Sequence, residues 1–266
     1  MNHCRNSLYR RRLLTTLALG GGAALAFRLP AALSQEAAGS FALLADLVEF
    51  RRLVAANRIL ANESVVDAFG HISVRDPRNP ERFVMSRSRS PALVEHADLM
   101  EFDLAGTAID SRGRTAYGER MIHAAIYQAR PEVNSVVHHH AYAVLPFTIT
   151  DVPLRPVVHA AAVIGAHIPV WDIHNDYGDT DMLVRTIEQG SSLAATLADN
   201  TCVLMRGHGA VVVGTGIERA VLTAVYLQVN ANVLLQAGAL GMSQGLSDTE
   251  IRLATESQFS ALALPR

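Results

Sequence analysis

The sequence predicts a layered α/β domain whose central sheet is mixed or largely antiparallel. Short β-branched runs cluster in the middle of the chain, and amphipathic helical periods lie before, between and after them. At 266 residues and 50% hydrophobic content the chain can bury a full core. The pattern divides into a leader, 1–34, a polar linker, 35–40, and one domain over 41–266.

In order, Phe41 to Leu60 carries a helical apolar stripe that includes Leu44, Leu47, Val48, Val54 and Leu60. Gly70 to Arg75 alternates Ile72 and Val74 against His71, Ser73 and Arg75, which reads as a strand. A turn, 76–80, returns the chain through a second strand, Arg82 to Ser86, and a polar loop, Ser86 to Pro91, follows. Leu99 to Leu104 and Thr107 to Ile109 read as a hairpin turned at Ala105-Gly106. Met121, Ile122, Ala125, Ile126 and Ala129 mark a helix that Pro131 ends, and Val133 to His140 reads as a buried strand.

Beyond it, a helix is expected from His140 to Leu145, an apolar run at Val157 to Ile164, and a short strand at Ile168 to Trp171. The spacing then predicts a polar loop over Asp172 to Asp181 and a helix over Met182 to Leu197. Strands at Thr201 to Met205 and Ala210 to Val213 flank Arg206-Gly207-His208-Gly209. Two helices, Gly216 to Leu240 and Ser247 to Ser260, close the chain, the last N-capped by Ser247 or Asp248.

The leader reads as a targeting segment. Arg10-Arg11-Arg12-Leu13-Leu14 resembles a twin-arginine signal, the apolar run Leu13 to Phe27 is short for a membrane span, and Ala32-Leu33-Ser34 offers a cleavage site. The expectation is export to the periplasm with no membrane segment in the mature protein. A leader that does not function leaves the chain cytoplasmic.

All 23 basic residues are arginine. Without lysine there is no amine for Schiff-base chemistry and no phosphate-loop lysine. After residue 34 the chain has 18 arginines against 25 acids, a net of −7 that argues against a nucleic-acid partner. Cys202 is the single cysteine beyond the leader, so the mature chain forms no internal disulfide.

The chemistry concentrates between Glu119 and His140. Glu119 and His123 are four apart and share a helix face, whereas His138 and His140 share one strand face and His139 takes the other. His208 lies between two glycines in a turn between strands, where Gly207 and Gly209 let the backbone come close. Three imidazoles and a carboxylate are a donor set for zinc, manganese or ferrous iron. Glu119 either completes that set or stands beside the metal as a general acid/base, and His123 orients it or lies one layer behind.

Gly70-His71-Ile72-Ser73-Val74-Arg75, the spacing of Glu119 from His138 and His140, and Arg206-Gly207-His208-Gly209 together resemble the class II aldolase/adducin family over most of 41–260. The resemblance implies a three-layer α/β/α sandwich and one divalent metal ion (Zn, Mn or Fe) per subunit, held by Glu119, His138, His140 and His208. It also implies a homotetramer with active sites at subunit interfaces. Sugar-phosphate members have Gly-Asn in place of Gly70-His71 and a Ser-Ser pair in place of Tyr117-Gly118. Both motifs hold phosphate, so a phosphorylated sugar is a poor fit.

The segments MSRSRSP, GERMIHAAIYQARP and PLRPVVHAA resemble a subgroup with decarboxylases of hydroxylated aromatic or pyridine carboxylates. There a chelated metal stabilises the carbanion or enolate that CO₂ leaves behind. On that resemblance Glu119 and His159 are the catalytic acid/base candidates. His71, Ser86, Arg87, Arg89 and His123 are the substrate-binding candidates for a small carboxylate or hydroxy-carbonyl compound. The alternatives are an aldolase acting on a non-phosphorylated hydroxy-carbonyl compound, a non-haem iron oxygenase, and a non-catalytic module like adducin.

Overall fold

The computed structural model describes residues 48–241 and 243–261. The leader and linker expectations lie outside the described residues, as do the first seven residues of the predicted opening helix. Among the described residues the chain runs through helix α1 (48–62) into strands β1 (His71–Arg75), β2 (Arg82–Ser86) and β3 (Leu99–Asp103). Helix α2 (Arg120–Ala129) and strand β4 (Ser135–His139) follow, then a short helix α3 (Leu145–Thr148). The rest is β5 (Val170–Trp171), α4 (Ile173–Tyr177), α5 (Ile187–Leu197), β6 (Cys202–Met205), β7 (Gly209–Gly214), α6 (Ile217–Leu240) and α7 (Asp248–Ala261).

Seven strands form one sheet in the order β3-β2-β1-β4-β7-β6-β5. Every pairing is antiparallel except β5 with β6, so the sheet is mixed and largely antiparallel as expected. Strand alternation sends its side chains into two cores. Ile72, Val137, Leu204 and Val212 meet Leu53, Ala56 and Leu60 of α1 and Ala220, Ala224 and Leu227 of α6. Phe83, Val136, Val203 and Val211 meet Ile122 and Ile126 of α2 and Leu193 and Leu197 of α5. The three-layer sandwich follows from this division.

Burial on both faces explains why β1 is fully buried although its sequence alternates. The face carrying His71, Ser73 and Arg75 looks like a solvent face but lies under α2. Arg75 pairs there with backbone carbonyls, donating to Val133, Tyr127 and Arg130 at 2.9–3.1 Å. A buried guanidinium persists only with such partners.

Several element boundaries differ from the sequence expectation, each for a local reason. Thr107 to Ile109 contributes a single bridge, Phe102 to Ala108, because the Asp103 carboxylate takes up the Ala105 and Thr107 amides. The expected loop after Asp172 contains α4, which Asp172 caps by accepting the His174 N–H. The apolar run ending at Ile164 is a 3-10 helix, His159–Ile164. The chain past His140 turns before α3 begins at Leu145, so no helix starts at His140.

Helix α5 begins only at Ile187, where Thr186 and Gln189 form a reciprocal capping box. Residues 182–186 are left irregular, and the site uses them. The Ser247 hydroxyl accepts the Glu250 N–H while the Glu250 carboxylate accepts the Ser247 N–H, so Ser247 caps α7.

Candidate metal centre

Glu119 sits immediately before the first residue of α2, yet its carboxylate does not cap that helix. Oε1 instead accepts the Val184 N–H at 3.0 Å from the irregular segment before α5. That anchors the group and leaves Oε2 3.4 Å from His138 Nε2 and 3.5 Å from His208 Nε2. His138 projects from β4 on the α2 side of the sheet. His140, one residue past the strand end, brings its Nε2 to 3.0 Å from that of His138. His208 enters from the β6–β7 turn, which is tied down by the Gly207 N–H donating to the Thr148 hydroxyl at 3.0 Å.

The three imidazoles form a triangle with ring centres 4.7, 5.0 and 5.1 Å apart. One donor atom from each of Glu119, His138, His140 and His208 falls within 4.8 Å of all the others. Four ligands about 2.0–2.1 Å from a tetrahedral centre stand about 3.4 Å from one another, close to the 3.0, 3.4 and 3.5 Å found here. The residues fit a divalent cation.

Their outer nitrogens support the same reading. His138 Nδ1 lies 3.2 Å from the Ala210 carbonyl and His208 Nδ1 lies 2.9 Å from that of Met182, so each ring protonates there and bares Nε2. Met182 holds a left-handed backbone with φ of 65°, which a non-glycine residue adopts at some cost. His140 Nδ1 stands 3.7 Å from the Asp67 carboxylate.

Burial alone would raise the Glu119 carboxyl pKa, but His138 and His208 outweigh it and hold it well below the usual range. Burial likewise disfavours charge on His208, while its contact with Glu119 more than reverses this and raises its pKa. Burial, with His138 and His208 beside it, pushes His140 down to about 4. These imidazoles are competent ligands only when neutral, so cation affinity falls in acid.

His123 and His139 are wholly buried, and burial pushes each down to about 3, against 6.5 for a free imidazole. Between those limits the unfolded chain binds protons that the folded chain does not. Stability is therefore expected to fall as pH drops from about 6.5 towards 3, by about 1.4 kcal/mol per pH unit for each histidine. Urea midpoints at pH 7, 6, 5 and 4 read this directly, and a flat series would mean that neither ring is held neutral.

The remaining candidates are placed unequally. His71 packs its ring 5.2 Å from that of His138 and 4.5 Å from that of Tyr117. His123 lies behind it, with Nε2 2.7 Å from His71 Nδ1. Ser86 is wholly buried, and its hydroxyl has no hydrogen-bond partner among the described residues. Arg87 and Arg89 both turn to the buried Asp98 carboxylate, at 2.7 and 2.8 Å, and Tyr117 donates its phenol hydrogen to the Arg89 carbonyl.

Against its burial, the Glu95 amide and both guanidinium groups hold the Asp98 pKa low. His159 is exposed at the start of its 3-10 helix, and its carbonyl accepts from Gln258 at 2.7 Å. Among the described residues no hydrogen bond, ion pair or ring contact joins Ser86, Arg87, Arg89 or His159 to the four donors.

Sequence reasoning passed over three participants. Tyr127 stands four residues after His123 and eight after Glu119, on the same helix face, and Ser73 stands two after His71 on the same strand face. That periodicity was available. Asp67 lies in a loop and gave no such signal.

Residues 51–235 match the family model described as Class II Aldolase and Adducin N-terminal domain. The chain belongs to the class II aldolase and adducin family. Among relatives of this class II aldolase-type chain, Decarboxylase tropJ of Talaromyces stipitatus is 38% identical over 199 residues, 70% of this chain and 75% of the relative. A 3,4-dihydroxyphthalate decarboxylase of Terrabacter is 30% identical over 204 residues, 73% and 83% of the two chains. These agree with the subgroup that the sequence resembles. Among solved structures, an L-fuculose 1-phosphate aldolase from Glaciozyma antarctica superposes with a TM-score of 0.67 and 27% identity, covering 81% of this chain and 83% of that one.

Proposed function

We propose that the protein is a divalent-metal-dependent decarboxylase of a hydroxylated aromatic or heteroaromatic carboxylate. The observation that carries the reading is the convergence of Glu119, His138, His140 and His208 beside an aromatic and imidazole wall, Tyr117 and His71. A bound cation would supply positive charge against the electron pair that departing CO₂ leaves on the ring. The chain's own part is to hold the acid in place and return a proton. The carbon–carboxylate bond breaks, its electrons stay on the ring carbon, and a proton takes the place of CO₂.

Arg87 and Arg89 spend one edge each on Asp98, and the exposed Glu95 stands 3.9 Å from Arg89; the guanidinium edges left over suit a second carboxylate on the substrate. His159 is the proton donor on this reading. Its exposed position requires it to act across a subunit boundary, which the proposed homotetramer with interfacial sites would provide. The leader is proposed to deliver the mature protein to the periplasm.

The test is CO₂ release from a panel of hydroxylated benzoates and phthalates by protein loaded with zinc, manganese or iron. Release with a loaded metal and none after chelation supports the reading. Cleavage of a non-phosphorylated hydroxy-carbonyl compound without CO₂ would replace it by an aldolase, the activity named for the Glaciozyma structure. Oxygen uptake that requires iron would replace it by an oxygenase.

A further inference from the structure

Behind the donor cluster, a line of buried polar groups runs from α2 to the site. The Tyr127 hydroxyl lies 2.8 Å from Ser73 Oγ, Ser73 Oγ 2.7 Å from His123 Nδ1, and His123 Nε2 2.7 Å from His71 Nδ1. Tyr127, Ser73, His123 and His71 are at most 2% exposed. Every hydrogen in the line must therefore be placed within it.

Hydrogen placement gives the line a direction. The Tyr127 phenol has one hydrogen, and among the described residues Ser73 Oγ is the acceptor for it. Once Tyr127 donates, the Ser73 hydrogen turns to His123 Nδ1. His123, a neutral imidazole, then carries its proton on Nε2 and donates to His71 Nδ1. His71 in turn carries its own proton on Nε2. Running the line the other way strands the phenol hydrogen in a dry interior, which disfavours that order by roughly tenfold or more.

Among the described residues the last nitrogen, His71 Nε2, has no hydrogen-bond partner, yet it is not sealed off as His139 Nε2 is. His71 also stands outside the group of four whose donor atoms converge.

We propose that Tyr127, Ser73 and His123 form a fixed hydrogen-bond relay that locks His71 as its Nε2–H tautomer, making it a substrate-facing donor to an oxyanion and not a fifth metal ligand. Tyr127, Ser73 and His123 are positioning residues; His71 is the group that touches the ligand. An N–H in that place favours a carboxylate oxygen over a neutral hydroxyl. The oxyanion assignment rests on the proposed decarboxylase reading, whereas the tautomer does not.

Histidine-selective ¹⁵N NMR on the zinc-loaded full chain reads the tautomer, with 2,3-dihydroxybenzoate and catechol as probes of binding. The expected result is a proton on Nε2 of both His71 and His123, lost to a tautomer mixture in Ser73→Ala. His71→Phe should weaken 2,3-dihydroxybenzoate by roughly tenfold, leave catechol nearly unchanged, and keep one zinc per chain. His71→Gln, which retains an amide donor, should recover part of the loss and serves if the Phe variant does not fold.

A proton on His71 Nδ1 in the wild type, or loss of zinc on substituting His71, overturns the proposal. Should the wild type decarboxylate its substrate with the proton on Nδ1, the relay falls and the function stands. The opposite pair of results, an Nε2 proton with no affinity for aromatic carboxylates, removes the substrate reading and keeps the relay.

Discussion

Alanine at His140 is expected to strip the protein of its divalent cation, while alanine at the neighbouring His139 leaves it loaded. The two differ by one residue and by a whole layer of the sandwich. His140 Nε2 lies 3.0 Å from His138 Nε2 in the donor cluster. His139 points to the other side of the sheet, where its Nδ1 accepts the Ala141 N–H and its Nε2 finds no partner. Removing a group that merely orients a ligand costs roughly 10–100-fold in metal affinity, and losing the ligand itself should cost more. His139→Ala trades ring packing for a cavity and relieves an orphaned N–H, so its effect is on stability. Metal content by elemental analysis, next to thermal midpoints, separates the two. Equal metal loss in both variants would mean that the strand does not alternate as described.

Gly209→Ala is expected to damage fold and site together. Gly209 pairs with Met205 at the start of β7, and a Cβ there would fall well inside the contact distance of the His139 carbonyl oxygen. The obstacle is backbone in the middle of the sheet, with no flexible side chain to move aside. Forced insertions of this kind cost about 1–3 kcal/mol, and more where strands must part. Because β7 carries the turn that presents His208, separation from β4 also pulls a ligand away. Gly207→Ala is the control: its φ of 61° makes alanine costly by about 1 kcal/mol, but the nearest atom is the flexible end of Met182 at 3.2 Å. Denaturant midpoints and zinc content together should rank Gly209→Ala far below Gly207→Ala, and similar values for both would refute the packing argument.

The layers were legible because they depend on period, and strand alternation separates His138 from His139. Glu119 and His208 were marked by motif instead, since Glu119 lies just before α2 and His208 in a turn. What escaped depends on backbone or on tertiary contact. The Val184 amide and the Met182 carbonyl support the site from residues 182–186, where the apolar spacing suggested helix and the Thr186 cap delays it. Sequence alternation in β1 does not show that α2 covers its polar face. Asp98 carried no motif, yet it fixes how much of Arg87 and Arg89 remains available.

The centre is also a cross-link. Its donors come from positions 119, 138, 140 and 208, and their props from 182, 184 and 210, so a cation there ties the start of α2, the end of β4 and the β6–β7 turn into one body. A ligand at a thousand times its dissociation constant adds about 4 kcal/mol to the folded state, comparable to much of a small domain's net stability. On the proposed function, metal supply where the chain folds would bear on its survival as well as on its chemistry.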